Sequence, residues 1–194
     1  MQQVLFLPDG ELTFHPAFFP PADSDRLLQG LVQDTPWRQD KIRLFGKEID
    51  QPRLTAWYGD PGKSYTYSGL RLEPLPWTPL LLEIKSRVEK EVNVTFNSVL
   101  LNLYRHGQDS MGWHSDDEPE LGQNPPIASV SFGGSRRFSL RHKFRKEVER
   151  VSLELGHGSL LVMSGPTQHF WKHQVAKTAK VVEPRLNLTF RVIL

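Results

Sequence analysis

Apolar residues recur along this chain with two different periods. In residues 22–33, Leu27, Leu28, Leu31 and Val32 fall on one face of a helix. Asp23 or Ser24 stands at its start, where a side-chain oxygen can cap the first amides. A second helix is predicted with Thr78 as N-cap and Pro79 as its first helical residue. Leu81, Ile84 and Val88 then repeat at helical spacing, Glu83, Lys85, Arg87 and Glu89 face outward, and the helix ends near Val92. From Phe96 onward the period drops to two. Residues 96–104, 127–132, 137–142, 147–153, 159–163, 170–174 and 186–193 read as strands separated by turns rich in Gly, Pro, Asp and Asn. Many short strands with long returns predict a jelly roll, or double-stranded β-helix. The expected fold class is α+β, mainly β: two sheets enclose a funnel, and the two helices brace the larger sheet. Residues 34–76 are the least regular. They hold Trp37, Phe45, Trp57, Tyr58, Tyr65 and Tyr67 and are predicted to cover the funnel mouth as a substrate lid.

Composition narrows the class. The 194 residues fit one domain over 1–194, with the jelly-roll core at about 96–194. With 38% hydrophobic and 24% charged residues, the chain reads as soluble and globular. There is no cysteine, so disulfides and thiolate metal sites are excluded, and any metal must take nitrogen and oxygen ligands. Residues 1–10 show no basic region followed by a long apolar run, and no segment has the length of a membrane span. A cytoplasmic monomer is the expectation, nuclear if the source is eukaryotic. Net charge is only +2. The cations are clustered, however: Arg136, Arg137, Arg141, His142, Lys143, Arg145, Lys146 and Arg150 crowd one stretch, which suits either a solvated hairpin or a phosphate-binding loop.

Candidate chemistry concentrates in the second half. His114 and Asp116 are two apart, so on an extended segment both side chains face one way. A second histidine would complete a two-histidine, one-carboxylate set, which holds one face of Fe(II) and leaves the other open. His173 and His169 compete for that place because residues four apart on a strand also share a face. His106, His142 and His157 are candidates by type alone. Near the C-terminus, Arg185, Asn187, Thr189 and Arg191 alternate with Leu186, Leu188, Phe190 and Val192. Four polar residues on one strand face suggest a lined cavity, and its arginines suit an acidic co-substrate beside the metal.

The larger pattern resembles the AlkB family of Fe(II)/2-oxoglutarate-dependent dioxygenases. The resemblance rests on Asn102-Leu103-Tyr104, His114-Ser115-Asp116-Asp117-Glu118, Ile127 through Gly133, Arg141-His142-Lys143, His157 through Met163, His173, and the Arg-x-Asn-x-Thr-x-Arg ending at Arg185–Arg191. The stretch Leu44-Phe45-Gly46-Lys47, with Pro52-Arg53, Tyr58-Gly59-Asp60 and Tyr65 through Gly69, is similar to the lid region of the DNA-repair branch, so the likeness covers about residues 40–194. It implies that His114, Asp116 and His173 bind iron. It implies that Asn102, Tyr104, Arg185, Asn187, Thr189 and Arg191 line the 2-oxoglutarate site, with Arg185 expected on the far carboxylate and Arg191 nearer the iron. The resemblance further implies that, with O2, the site oxidises N-alkyl groups on damaged bases such as 1-methyladenine and 3-methylcytosine in DNA. By the same likeness, formaldehyde, succinate and CO2 are the expected products.

A base inside a duplex cannot reach such a site, so the methylated DNA must be single-stranded or have its nucleotide flipped. The resemblance makes Tyr67 a base-stacking residue, and Tyr65 shares its strand face. Asp117 and Glu118 follow the metal ligand and suit contact with a cationic methylated base. Phe45 resembles the wedge that fills the gap left by a flipped base. Arg43, Lys47 and Arg53 flank it and are expected on phosphate, as are Arg141, His142 and Lys143 by likeness to relatives. Other readings stay open at this point: an RNA demethylase, a non-catalytic metal-binding nucleic-acid module, a small-molecule hydroxylase, or a hydrolytic zinc enzyme.

Overall fold

The computed structural model describes residues 2–44, 47–63, 65–67 and 70–194, with side chains described outside 42–47 and 64–72. In chain order the elements are β1 (Gln3–Leu7), β2 (Gly10–His15), α1 (Pro21–Asp34), β3 (Lys41–Leu44), β4 (Lys47–Asp50), β5 (Leu54–Gly59), β6 (Tyr65–Tyr67), β7 (Leu70–Leu72), α2 (Pro79–Val92), β8 (Ser98–Tyr104), β9 (Met111–His114), β10 (Ile127–Gly133), β11 (Arg136–His142), β12 (Val151–Leu155), β13 (Ser159–Ser164), α3 (Thr167–Phe170), β14 (Trp171–Val175) and β15 (Arg185–Arg191). Seven strands form a large sheet in the order β1-β2-β13-β10-β15-β8-β5, and four form a small one, β12-β11-β14-β9. The pairings within both sheets are antiparallel. This is the jelly-roll core that the short strands and long returns predicted, mainly β with two bracing helices.

Alternation along the central strands builds two apolar layers. Leu186, Leu188 and Phe190 of β15 join Val130 and Phe132 of β10 on one face, where Leu27 and Leu31 of α1 and Leu81, Ile84 and Val88 of α2 pack on them. A second cluster, including Phe14, Ile127, Leu140, Leu161 and Trp171, fills the space between the sheets. The polar residues of β15 face that same interior, so they line the funnel instead of meeting the helices. Asp23 of α1 accepts from Arg87 of α2 at 2.8 Å, tying the two helices together.

Local details depart from the sequence expectations. α1 begins at Pro21 with Pro20 in the cap position and no side-chain cap; Asp23 lies inside the first turn, and the buried Ser24 hydroxyl donates to the Phe19 carbonyl at 3.3 Å. A proline at the first helical position needs no amide partner, so the start moves upstream. Thr78 does cap α2, accepting from the Leu81 amide at 3.3 Å. The strand expected at 147–153 is displaced to Val151–Leu155, because pairing with β11 sets Leu140 opposite Val151 and Arg136 opposite Leu155. The hairpin β1–β2 and strand β9 were not anticipated. Within the segment expected as a lid, Leu54–Gly59 is an edge strand of the large sheet, and Tyr58 is buried in the core. Trp57 donates its indole N–H to Ser98 Oγ at 2.7 Å. No helix among the described residues is long and apolar enough to cross a membrane.

Candidate metal and co-substrate site

Three polar groups meet at the mouth of the small sheet. β9 pairs with β14 so that His114 lies directly opposite His173, and the two rings stand 4.2 Å apart. Asp116 follows two residues later, its amide held by Gln168 Oε1 at 2.9 Å. One ligand atom from each of His114, Asp116 and His173 lies within 4.8 Å of the other two. Their number, type and spacing could hold a divalent metal on one face.

The protonation of this set favours metal binding. Burial alone would raise the Asp116 carboxyl, but Arg191 and then His173 and His114 outweigh it and lower its pKa to about 2. Arg191 donates to Asp116 Oδ1 at 2.6 Å. Burial, helped by the neighbouring His114, lowers His173 to about 3 against the pull of Asp116. At neutral pH the site therefore presents an ionised carboxylate and a neutral imidazole. His114 Nδ1 is 2.8 Å from the Gly112 carbonyl, which can only accept, so this nitrogen carries a proton and Nε2 is the one that faces a ligand position. His173 is steadied by stacking on Phe138 at 5.1 Å.

The competing histidines have other partners. His169 Nε2 accepts the Asn124 amide at 3.1 Å, His157 Nδ1 accepts from Gly133, and His106 Nδ1 from Gln108. Sequence spacing alone left His169 and His173 equal. The short helix α3 ends at Phe170, so residues 169 and 173 do not share one strand.

Beyond the triad lies a cavity walled by β15, β8 and β10. Arg185 pairs across the sheet with Tyr104, and Asn187 with Asn102. Arg185 is 1% exposed; its Nη2 donates to Ser131 Oγ at 2.8 Å, and Tyr104 is a further hydrogen-bonding neighbour of the guanidinium. Its Nε and Nη1 have no hydrogen-bond partner. Its guanidinium rests over the Tyr104 ring, and burial lowers its pKa to about 10. A buried cation with two unpartnered donor nitrogens, three N–H groups in all, is costly unless an anion completes it. That is the observation by which these residues fit a dicarboxylic co-substrate. Asn187 lines the same wall, but its amide donates to Ser129 Oγ at 2.8 Å and to the Val130 carbonyl at 3.0 Å. Its oxygen accepts from Thr189 at 3.1 Å. Asn187 therefore shapes the wall and orients Ser129 and Thr189.

The sequence reading missed Ser129, Ser131 and Gln168. The two serines had a signal, since they alternate with Val130 and Phe132 on the face that β15 lines with polar groups. Gln168 had none, because α3 and its approach to Asp116 are tertiary features.

Several expected substrate contacts are placed differently. Arg53 is 7% exposed and donates to Asn102 Oδ1 at 2.8 Å, so it lies inside the cavity wall and not on an outer phosphate-binding edge. His142 is also buried; its Nδ1 accepts the Phe144 and Arg145 amides, at 3.2 and 2.9 Å. Neighbours on a strand face opposite ways, so His142 points inward while Arg141 lies outside over Trp113, 4.4 Å from its ring. Lys143 Nζ donates to Asp117 Oδ2 at 2.6 Å and to the Gln168 carbonyl at 2.8 Å, which partly neutralises both charges at the rim. Glu118 is half-buried beside them. Phe45 lies outside the described residues. So do the side chains of Tyr65 and Tyr67, whose backbone pairs with Leu70–Leu72.

Comparison with known proteins agrees with this geometry. Residues 11–191 match the model of the 2OG-Fe(II) oxygenase superfamily. The chain is 48% identical over 187 residues to human "Alpha-ketoglutarate-dependent dioxygenase alkB homolog 3", covering 92% of this chain and 65% of that protein. The chain thus spans just under two thirds of that relative's length. It is 45% identical over 185 residues to mouse "DNA oxidative demethylase ALKBH2", covering 91% of this chain and 77% of the relative. The solved structure of OsALKBH1 aligns with 98% of this chain and 100% of its own at a TM-score of 0.63 and 16% identity, which shows a shared fold. With the superfamily match spanning most of its length and a DNA demethylase nearly half identical to it, this chain belongs to the AlkB family of 2OG-Fe(II) oxygenases.

Proposed function

We propose that this chain oxidatively demethylates N-alkylated bases in nucleic acid, with methylated DNA as substrate and 1-methyladenine and 3-methylcytosine as the lesions. The observation that carries the reading is the buried Arg185, with two unpartnered donor nitrogens, in the cavity that His114, Asp116 and His173 border. In this reading the three side chains hold Fe(II), and Arg185 with Tyr104 takes the far carboxylate of 2-oxoglutarate. Bound there, Fe(II), 2-oxoglutarate and O2 supply the hydroxylating power, and the hydroxymethyl group formed on the base nitrogen leaves as formaldehyde. The chain's own residues do the rest. Arg191 keeps Asp116 ionised and fixes its orientation at 2.6 Å. Phe138 holds the His173 ring. β8, β10 and β15 wall the cavity in which the base and co-substrate would meet.

The DNA assignment draws support from the 45% identical relative named as a DNA oxidative demethylase. The cationic rim supports it too: Arg141 and Arg150 both lie against Trp113 on the outside of the small sheet. Such arginines suit a phosphate backbone. The reading places the chain where its DNA is, in the cytoplasm or, for a eukaryote, the nucleus, acting as a monomer. The test is incubation with Fe(II), ascorbate, 2-oxoglutarate and 1-methyladenine oligonucleotides, single- and double-stranded, followed by mass spectrometry. Loss of one methyl mass that depends on 2-oxoglutarate is expected. Succinate formation with methylated DNA unchanged, but methylated RNA repaired, would move the substrate to RNA. Phe45→Ala should reduce duplex repair more than single-strand repair; equal losses would remove the wedge from the proposal.

A further inference from the structure

Arg53 meets two parts of the site at once. Its Nε donates to Asn102 Oδ1 at 2.8 Å, and its Nη1 reaches the Ser110 carbonyl at 3.4 Å. The carbonyl of the preceding Pro52 accepts from the Ser110 amide at 2.8 Å. Neither side-chain partner is a carboxylate. Asn102 lies on β8 opposite Asn187 and lines the same cavity as Arg185 and His114. Ser110 immediately precedes β9, the strand that ends in His114.

A side-chain amide can present either its oxygen or its two N–H groups, and only its neighbours decide which. A guanidinium can donate and never accept. Its charge-assisted bond therefore commits the Asn102 oxygen toward Arg53 and leaves the N–H groups for the opposite side. We propose that Arg53 is a positioning residue for the co-substrate: it locks the Asn102 amide as a hydrogen-bond donor toward the 2-oxoglutarate cavity and pins the loop that delivers His114. This rests on the reading of that cavity as the 2-oxoglutarate site. It also explains why an arginine is buried at the base of the β3–β4 segment, where an outward phosphate contact would need it exposed.

The test reads binding and not turnover. Protein loaded with Mn(II) is titrated anaerobically with 2-oxoglutarate by calorimetry, with metal affinity and thermal melting measured alongside. Arg53→Gln should weaken 2-oxoglutarate by about tenfold while Mn(II) affinity changes less than about threefold. Arg53→Lys, which keeps a cationic donor, should recover part of the loss and serves if the glutamine variant folds poorly. Asn102→Ala should weaken binding similarly, and Arg53→Gln added to it should cost little more, because the two act through one bond. Unchanged 2-oxoglutarate affinity in folded Arg53→Gln, or fully additive losses in the double variant, would overturn the proposal. So would a defect confined to methylated oligonucleotide binding, which would make Arg53 a substrate contact. If the unaltered protein binds Mn(II) but not 2-oxoglutarate, the site reading itself fails, and the positioning role falls with it.

Discussion

Each side chain in the site has its role set by what surrounds it. Arg185 is the clearest case: its donors outnumber its partners, and its burial makes an incoming carboxylate the natural complement. Arg185→Ala should raise the apparent KM for 2-oxoglutarate at least tenfold, the scale of losing a charge-assisted pair. Arg185→Lys should fall between, since a lysine has the charge without the planar fork. Steady-state kinetics with 2-oxoglutarate as the varied substrate checks this, and an unchanged KM would refute the pairing. The histidines are also separable at this scale. His173→Ala should abolish stoichiometric metal binding, whereas His169→Ala should leave it intact, because His169 already accepts the Asn124 amide. Inductively coupled plasma analysis of the two variants after metal loading decides between them.

At the scale of elements, the site depends on strand pairing and on the helices behind it. Leu186, Leu188 and Phe190 press against the helical layer while their alternating neighbours face the cavity. A one-residue slip of β15 would exchange these faces, so the apolar layer keeps Arg185, Asn187, Thr189 and Arg191 in register. α2 is part of that layer, and Thr78 closes its first turn. Thr78→Ala should lower stability by about 1 kcal/mol, with little effect on KM for 2-oxoglutarate. Chemical denaturation measures the first and kinetics the second. A large change in KM would mean that the helix reaches the site by more than support.

At the scale of the whole molecule, one crossing from large sheet to small sheet is the loop from Arg105 to Ser110, between β8 and β9. Asp109 is 2% exposed and accepts from the Arg105 amide, Nε and Nη2 at 2.8, 2.8 and 3.0 Å. Arg136, buried at the start of β11, donates to the carbonyls of Asp109 and Ala176 and fastens the loop to the small sheet. Burial alone would raise the Asp109 carboxyl, but the Arg105 bonds prevail and lower it. A folded pKa below the unfolded value of about 3.9 stabilises the fold above that pH. The contribution fades as pH falls through the lower, folded value, where both states are protonated. Asp109→Asn should therefore lower Tm near pH 7 and lower it less near pH 3. Calorimetry across that range checks it, and an equal loss at both ends would mean that packing and not charge is responsible.

Much of this arrangement was legible in the chain itself. Strand periodicity placed Arg185, Asn187, Thr189 and Arg191 on one face, helical periodicity located α1 and α2, and the two-residue spacing put His114 and Asp116 side by side. These are local properties: a face follows from which residues alternate, and alternation can be read without knowing the neighbour. What touches each face was decided only when distant strands paired. The opposition of β9 and β14 set His173, and not His169, directly across from His114. The inward side of β11 turned His142 from a phosphate contact into a loop anchor. The pairing of β5 with β8 made Leu54–Gly59 part of the sheet and buried Arg53 beside Asn102. Periodicity along a chain determines direction, whereas contact, burial and the resulting pKa values depend on segments up to a hundred or more residues apart, and those meet only in the tertiary structure.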